Sequence, residues 1–191
     1  NDDRRTEIVD TQEDLTAEDL ITEENLVVTL SEQGYVKSQS LDSYQAQHRG
    51  GRGKSATSVK DQDFVRNVMI AHSHDTLLCF STSGKVYWLR TYQIPQGGRQ
   101  AKGRPIVNLL PLAEGEAISA ILSVNSFEDN AFVIMVTARG TIKKVKLAEF
   151  SRPRLSGKIA VDIVDGDSLI GVNITDGEQD IMLISDAGKA L

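Results

Sequence analysis

The sequence predicts an all-β, propeller-like fold of repeated blades, about three of them present together with part of a fourth. Three observations carry that expectation. From Leu26 onward the chain is a series of short β-rich runs broken by glycine turns. A hairpin-like unit recurs with its turn glycine at Gly34, Gly84, Gly140 and Gly188, separated by 50, 56 and 48 residues. Many of the intervening runs are apolar at consecutive positions, the pattern of strands covered on both faces. A strand-built repeat of roughly 40–50 residues is the period of propeller blades.

The elements follow in order. Residues 1–25 are acidic and short of aromatics and read as a linker; within it Thr16 to Glu24 is expected as a short helix with Thr16 as N-cap. The β domain is expected over residues 26–191. Its first unit runs Leu26–Leu30, a turn at Gly34, then Tyr35–Lys37. The second runs Thr76–Phe80, Gly84, then Lys85–Trp88. The third runs Phe132–Val136, Gly140, then Thr141–Lys144. The fourth begins at Ile181–Ile184 with Gly188 and Lys189, where the chain stops mid-repeat. Each of the first three hairpins is followed by a short amphipathic piece, Leu41–Tyr44, Thr91–Ile94 and Leu147–Phe150. Further strands are expected at Val65–Ala71, Ile106–Leu110, Ala117–Val124, Ile159–Ile163 and Leu169–Ile174, with turns at Asp165–Asp167 and Thr175–Gly177.

Composition narrows the class. With 191 residues, 40% hydrophobic and 25% charged, the chain is long enough to bury a substantial core and is not generally disordered. Cys79 is the single cysteine, so no intrachain disulfide forms. Its apolar neighbours Leu77, Leu78 and Phe80 mark it as a buried, inert thiol. No apolar segment is long enough to cross a bilayer and no signal peptide is visible, which points to the cytoplasm.

The net charge of −6 is unevenly spread. Residues 1–33 hold eleven acidic and two basic groups, net −9; residues 34–104 hold eleven basic and four acidic, net +7; residues 105–191 hold twelve acidic and eight basic, net −4. Charge is screened over about 8–10 Å at physiological salt, so a polyanion at the surface senses the local excess. That excess centres on the loop Gln47-His48-Arg49-Gly50-Gly51-Arg52-Gly53-Lys54. Arginine offers a planar fork of donors that matches phosphate oxygens, and glycine lets a partner approach the backbone closely.

Basic, glycine-bearing loops recur in the repeat. They span Gln47 to Lys54, Gly97 to Arg104 and Arg152 to Lys158, with a loop glycine (Gly53, Gly103, Gly157) 19, 19 and 17 residues beyond the turn glycine. Each blade would therefore present its loop at the same edge. The candidate phosphate contacts are Arg49, Arg52 and Lys54 on the first blade, Arg99, Lys102 and Arg104 on the second, and Arg152, Arg154 and Lys158 on the third. Gly50, Gly51 and Gly53 would also turn backbone N–H groups toward phosphates. The simplest polyanion is nucleic acid, and none of these groups reads bases, so it would be bound with weak sequence preference.

The repeat, the Gln47–Gly53 loop and the run Gly103-Arg104-Pro105-Ile106-Val107-Asn108-Leu109-Leu110-Pro111-Leu112 resemble the C-terminal domain of the bacterial DNA gyrase A protein. The loop resembles the gyrase A box, usually written Gln-Arg-Arg-Gly-Gly-Lys-Gly. His48 departs at its second position, replacing a permanent charge by a switchable one, and Arg52 departs at its sixth while keeping a cation. The resemblance covers essentially the whole chain, and residues 1–25 look like the connector from a preceding coiled-coil region. It implies a six-bladed β-pinwheel in which a strand from one blade pairs in its neighbour. It implies that the basic rim wraps double-stranded DNA with positive handedness, so that strand passage by the whole enzyme introduces negative supercoils. It assigns Gln47, His48, Arg49, Gly50, Gly51, Arg52 and Gly53 to that wrapping. The resemblance also implies an ATP-hydrolysing type II topoisomerase, with gyrase B and the rest of gyrase A as partners in an A2B2 holoenzyme, in a bacterial cytoplasm and nucleoid. On this reading the chain is a non-catalytic piece with no cofactor of its own; ATP and Mg belong to the holoenzyme and the catalytic tyrosine to a region outside the chain. Tyr35 and Tyr44 lack a matching active-site context. The equivalent domain of topoisomerase IV is the nearest alternative, and its box is usually degraded. A protein-binding propeller scaffold is the alternative from another class.

Other motifs carry weaker readings. Gly53-Lys54-Ser55 lacks the glycine a phosphate-binding loop needs five residues earlier, where His48 stands. His72 and His74 have the spacing for a shared metal but no accompanying cysteine or nearby third histidine, so a turn-flanking role with Asp75 is the stronger reading. Asp165, Asp167, Asp176 and Glu178 fit two acidic turns better than a calcium loop. Tyr87, Trp88 and Tyr92 are expected in packing, since duplex wrapping offers no exposed base faces.

Overall fold

A computed structural model describes residues 18–41, 63–98, 100–128 and 130–190. Its strands are β1 (Asn25–Ser31), β2 (Tyr35–Ser40), β3 (Val65–His72), β4 (Thr76–Ser81), β5 (Lys85–Arg90), β6 (Arg104–Pro105), β7 (Ile118–Val124), β8 (Phe132–Thr137), β9 (Ile142–Lys146), β10 (Lys158–Ile159) and β11 (Leu169–Thr175). They form three antiparallel sheets in the orders β3-β1-β2-β6, β7-β4-β5-β10 and β11-β8-β9. In each of the first two sheets the fourth strand comes from the following repeat. β6, which follows the second hairpin, pairs with β2 of the first sheet, Tyr35 opposite Pro105 and Val36 opposite Arg104. β10 repeats the move, Val86 opposite Lys158 and Lys85 opposite Ile159. This is strand exchange between neighbouring blades.

The hairpins β1–β2, β4–β5 and β8–β9 are set by one local device. A hydroxyl stands three residues before each turn glycine and accepts the amide that follows the glycine. The pairs are Tyr35 N–H to Ser31 Oγ at 3.0 Å, Lys85 N–H to Ser81 Oγ at 3.2 Å and Thr141 N–H to Thr137 Oγ1 at 3.1 Å. Lys189 N–H to Ser185 Oγ at 3.1 Å repeats it around Gly188. The glycines take φ of 80°, 81°, 88° and 73°, a conformation that side chains disfavour. The fourth unit thus keeps the turn, but its flanks make only the bridge Ile184 to Ala190, and Ile181–Ile184 is not a strand.

Side chains of the middle sheet alternate between two cores. Leu77, Cys79, Tyr87 and Leu89 pack with Val28, Leu30, Val36 and Ile106 of the first blade side. Leu78, Phe80 and Val86 pack with Val133, Met135, Leu147, Phe150 and Leu169 of the third. Burial on both faces explains the unbroken apolar run of β4, every residue of which is buried. β3 departs from the two-faced expectation: Arg66, Val68 and Ile70 are exposed along one face. Burial pushes the Cys79 thiol up to about 12.

Beyond Ile181–Ile184, three further elements differ from the sequence expectation. Residues 18–20 form a turn closed by Ile21 N–H to Glu18 O at 3.1 Å, not a helix. Glu24 is drawn straight into β1 by a backbone bond with Ser73 at 2.9 Å. Thr16 lies outside the described residues. Ile106–Leu110 is not a strand: the chain pairs only at Arg104–Pro105 and then coils into a 3-10 turn over Ile106–Asn108. Ile106 N–H is committed to Gly34 O at 2.8 Å and Leu110 N–H to Ile106 O at 3.0 Å, which leaves no ladder to extend. Ile159–Ile163 likewise pairs only at Lys158–Ile159, because Ala160 and Val161 both donate to Gly84 O.

Candidate nucleic-acid interface

The same topology places the basic loops. After β5 and after β9 the chain makes a 3-10 turn, Thr91–Gln93 and Leu147–Phe150, and then crosses to the outer strand of the preceding blade. The innermost strands β7 and β11, and β3 and β7, approach one another across the blades. The crossing loops therefore lie at the opposite, outer edge of each sheet.

Glycine is needed at each crossing for a reason beyond access to phosphates. At Gly103, with φ of 90°, an added Cβ would stand 2.4 Å from the Val36 carbonyl oxygen. At Gly157, with φ of 74°, it would stand 2.7 Å from Cε1 of Tyr87. Both glycines press the loop against the neighbouring blade, and their similar offsets, 19 and 17 residues beyond the turn glycine, record that joint. Gly53 holds the matching sequence position but lies outside the described residues.

The candidate cations differ in how they are held. Lys102 is exposed, with Nζ 4.1 Å from the centroid of the Tyr35 ring. Arg104 is exposed on β6. Arg152 and Arg154 are exposed in the loop that closes with Gly157 N–H to Arg154 O at 3.0 Å. Lys158 is half-buried: its Nζ donates to Glu149 O at 2.7 Å, stands 3.5 Å from Glu149 Oε2 and sits 5.5 Å from the Phe150 ring centroid. Lys102 and Arg104 share one crossing loop, and Arg152, Arg154 and Lys158 share the equivalent loop one blade on. Gln47, His48, Arg49, Gly50, Gly51, Arg52, Gly53, Lys54 and Arg99 lie outside the described residues.

Sequence reasoning missed the residues that support these loops. Lys37, only 3% exposed in β2, donates from Nζ to Gly98 O at 3.1 Å and Ala101 O at 3.0 Å. Burial pushes its ammonium below the ordinary lysine value. Tyr87 takes the same place in the next blade, three residues after the turn glycine, and its ring meets Gly157. Its hydroxyl donates to Glu116 Oε2 at 3.0 Å, and burial, then the Glu116 bond and charge, push its pKa up to about 12. The shared offset from the turn glycine was the available signal.

The remaining candidates sit in structural roles. His72 N–H donates to Asp75 Oδ2 at 2.9 Å, and the His74 ring lies between Ser73 Oγ and Glu18 O, each at 3.1 Å. Trp88 Nε1 donates to Phe150 O at 2.7 Å. Asp167 Oδ1 accepts Arg139 N–H at 3.0 Å and Ser168 N–H at 2.8 Å, and Asp176 Oδ1 accepts Glu178 N–H at 2.9 Å. Among the described residues no helix is long and apolar enough to cross a membrane.

Comparison with known proteins places this arrangement. The family model described as DNA gyrase C-terminal domain, beta-propeller, matches residues 25–72, 75–125 and 131–176. The DNA gyrase A protein of Haemophilus influenzae is 55% identical over 190 residues, covering 100% of this chain and 22% of that protein. Its counterpart in Aeromonas salmonicida, also a DNA gyrase A protein, is 56% identical over 190 residues, covering 100% and 21%. The chain thus spans about a fifth of the length of these curated relatives. Among solved structures, a C-terminal domain of DNA topoisomerase IV matches with a TM-score of 0.72 and 27% identity, over 90% of this chain and 52% of that one. A DNA gyrase A C-terminal domain matches with a TM-score of 0.68 and 28% identity, over 87% and 53%.

Proposed function

The chain belongs to the DNA gyrase C-terminal domain, beta-propeller family, and from that premise we propose that it is the duplex-DNA-binding and bending module of a gyrase A protein. The observation that carries the reading is the repeated crossing at Gly103 and Gly157, which brings two cationic loops to the same edge of successive blades. Bending a duplex site of 20–30 bp by 40–90° costs about 1–6 kcal/mol, and a protein that imposes the bend must recover it through phosphate contacts. Cations spread over successive blades suit that task better than one cluster, because a bent duplex meets them in sequence.

Each rim cation has a part in this. Lys102, Arg104, Arg152 and Arg154 are exposed and supply phosphate contacts. Lys158, tied to Glu149, fixes the foot of its loop and contributes less to the contact. Arg49, Arg52, Lys54 and Arg99, with the glycines of the Gln47–Gly53 box, lie outside the described residues and enter the proposal as further phosphate contacts on the strength of the sequence alone. Strand cleavage and ATP hydrolysis with Mg belong to other parts of an A2B2 holoenzyme with gyrase B, in the bacterial cytoplasm. The topoisomerase IV reading is disfavoured by the near-complete box and by 55–56% identity to gyrase A relatives over the whole chain.

The test is topological. The full-length protein carrying this chain is bound to nicked DNA circles, the nick is ligated, and the linking number is read after protein removal. A shifted topoisomer distribution that reverts as salt rises is the expected result. A distribution identical to that of protein-free circles at every salt concentration defeats the proposal and leaves a protein-binding scaffold, whose docking would lack steep salt dependence.

A further inference from the structure

We propose that Lys37 is the positioning residue of the second cationic loop: its buried ammonium ties that loop to the first blade and so sets where Lys102 and Arg104 stand on the rim. The inference rests on the DNA-binding reading above. Lys37 lies in mid-β2, buried, and its side chain runs beneath the loop from Gly97 to Gly103. An added Cβ at Gly97 would lie 3.6 Å from Lys37 Cδ, and one at Gly103 would lie 3.1 Å from Lys37 Cβ. Its Nζ meets the loop at both ends of one turn. Gly98 O also accepts Ala101 N–H at 3.0 Å, so the two carbonyls that Lys37 binds are the ends of that turn. The neighbouring residue sews the near end down, with Gly97 N–H to Ser38 O at 3.0 Å and Ser38 Oγ to Ile94 O at 3.1 Å.

A cation is a costly choice for packing alone, because removing an ammonium from water carries a penalty that a methylene chain of the same length avoids. What the ammonium adds is several donors at the end of a long reach, which join carbonyls three residues apart. The ammonium is too buried to serve as a phosphate contact, so its effect on DNA runs through the loop it holds. The equivalent position in the next blade, Tyr87, holds its loop by ring contact with Gly157. The site three residues after the turn glycine is therefore the rest on which a rim loop is seated, by a cation in one blade and an aromatic ring in the next.

The experiment compares the parent chain with Lys37→Met, which keeps the length and loses the donors, and Lys37→Arg, which restores donors. Three quantities are measured: duplex-DNA affinity across a salt series, hydrogen exchange at the Gly97 and Ala101 amides, and the thermal midpoint. In Lys37→Met the two amides should lose protection, and the salt slope of binding should fall by about two, the share of two phosphate contacts. The thermal midpoint should hold or rise as the buried charge is removed, and Lys37→Arg should recover much of the slope. Two results would overturn the proposal: parental slope and amide protection in Lys37→Met, or a lowered slope in Lys37→Met with both amides still protected. If the parent itself fails to bind duplex DNA, the function proposed above falls, and the amide exchange alone decides whether Lys37 holds the loop.

Discussion

An alanine at Gly84 would place its Cβ 2.2 Å from the Val161 carbonyl oxygen and 2.8 Å from Ile163 Cγ1. Gly140 holds the same turn position in the third blade, with φ of 88° against 81°, yet an added Cβ there meets nothing within 4 Å. The pair separates two costs that usually travel together. Left-handed backbone costs a non-glycine residue about 1–2 kcal/mol wherever it occurs. A Cβ forced into the joint between blades adds an overpacking cost of about 1–3 kcal/mol. Gly140→Ala should therefore show only the first cost in urea unfolding, and Gly84→Ala both, together with loss of the Ala160 and Val161 bonds to Gly84 O. Equal midpoints for the two variants would mean that the crossing segment does not press on the turn. Sequence alone marked all four turn glycines, because a turn is a local event. It did not distinguish Gly84 from Gly140, because the difference is made by Val161, a residue from the next repeat.

One carboxylate in each blade ties the connection that leads into the innermost strand to the hairpin turn. Asp63 Oδ1 accepts Gln33 N–H at 3.0 Å, Glu116 accepts the Ser83 hydroxyl, and Asp167 Oδ1 accepts Arg139 N–H at 3.0 Å. In the second blade burial acts to raise the Glu116 carboxyl, but bonds from Ser81, Ser83, the Ala113 amide and Tyr87 outweigh it and hold the group below its ordinary value. A carboxyl whose folded value is depressed contributes stability that is complete above the unfolded value and is lost as pH falls through the folded one. Tyr87 has the opposite sense: its value is raised to about 12, so its contribution is complete below about 10 and is lost as pH climbs toward 12. Glu116→Gln keeps the shape and removes the charge. Its thermal midpoint should fall less than the parent's between pH 5 and 3, and Tyr87 should ionise at lower pH in ultraviolet titration. Parallel acid limbs for both proteins would remove Glu116 from the account. At this scale the hairpins were legible, since alternation and turn chemistry are local, and so was the spacing of the loops. The runs at Ile106–Leu110 and Ile159–Ile163 were misread as strands because consecutive apolar residues suit a buried 3-10 turn or irregular segment equally well, and only the partner's edge decides. Tyr87 was legible as a packing residue, but its part as a loop support, and that of Lys37, was signalled only by their shared offset from the turn glycine, because what buries them arrives from residues roughly 60–70 positions downstream.

Across the whole molecule the middle sheet is a wall shared by two cores, Leu77 and Cys79 facing one and Leu78 and Phe80 the other. Adjacent residues of β4 therefore belong to different cores, and neither core can lose β4 while the other keeps it. That arrangement makes the three sheets a single cooperative unit, although the repeat alone would allow each blade to open separately. Cys79 reports on the point. Its thiol is fully buried, its pKa is raised to about 12 by burial, and it reacts only when the sheet opens. Met135, fully buried in β8, lies in the other core and on another sheet. Met135→Ala should destabilise by about 2–5 kcal/mol through the lost side chain and the cavity left behind. Under cooperative opening, with reclosing fast relative to labelling, Cys79 should react about tenfold faster for each 1.4 kcal/mol lost, as measured by thiol labelling in native buffer. A Met135→Ala variant whose urea midpoint drops while Cys79 labels at the parental rate would show that the third blade opens alone. Cationic loops on separate blades would then not be held in fixed register by the cores beneath them, and a bend imposed on DNA would have to be stabilised by the DNA contacts themselves.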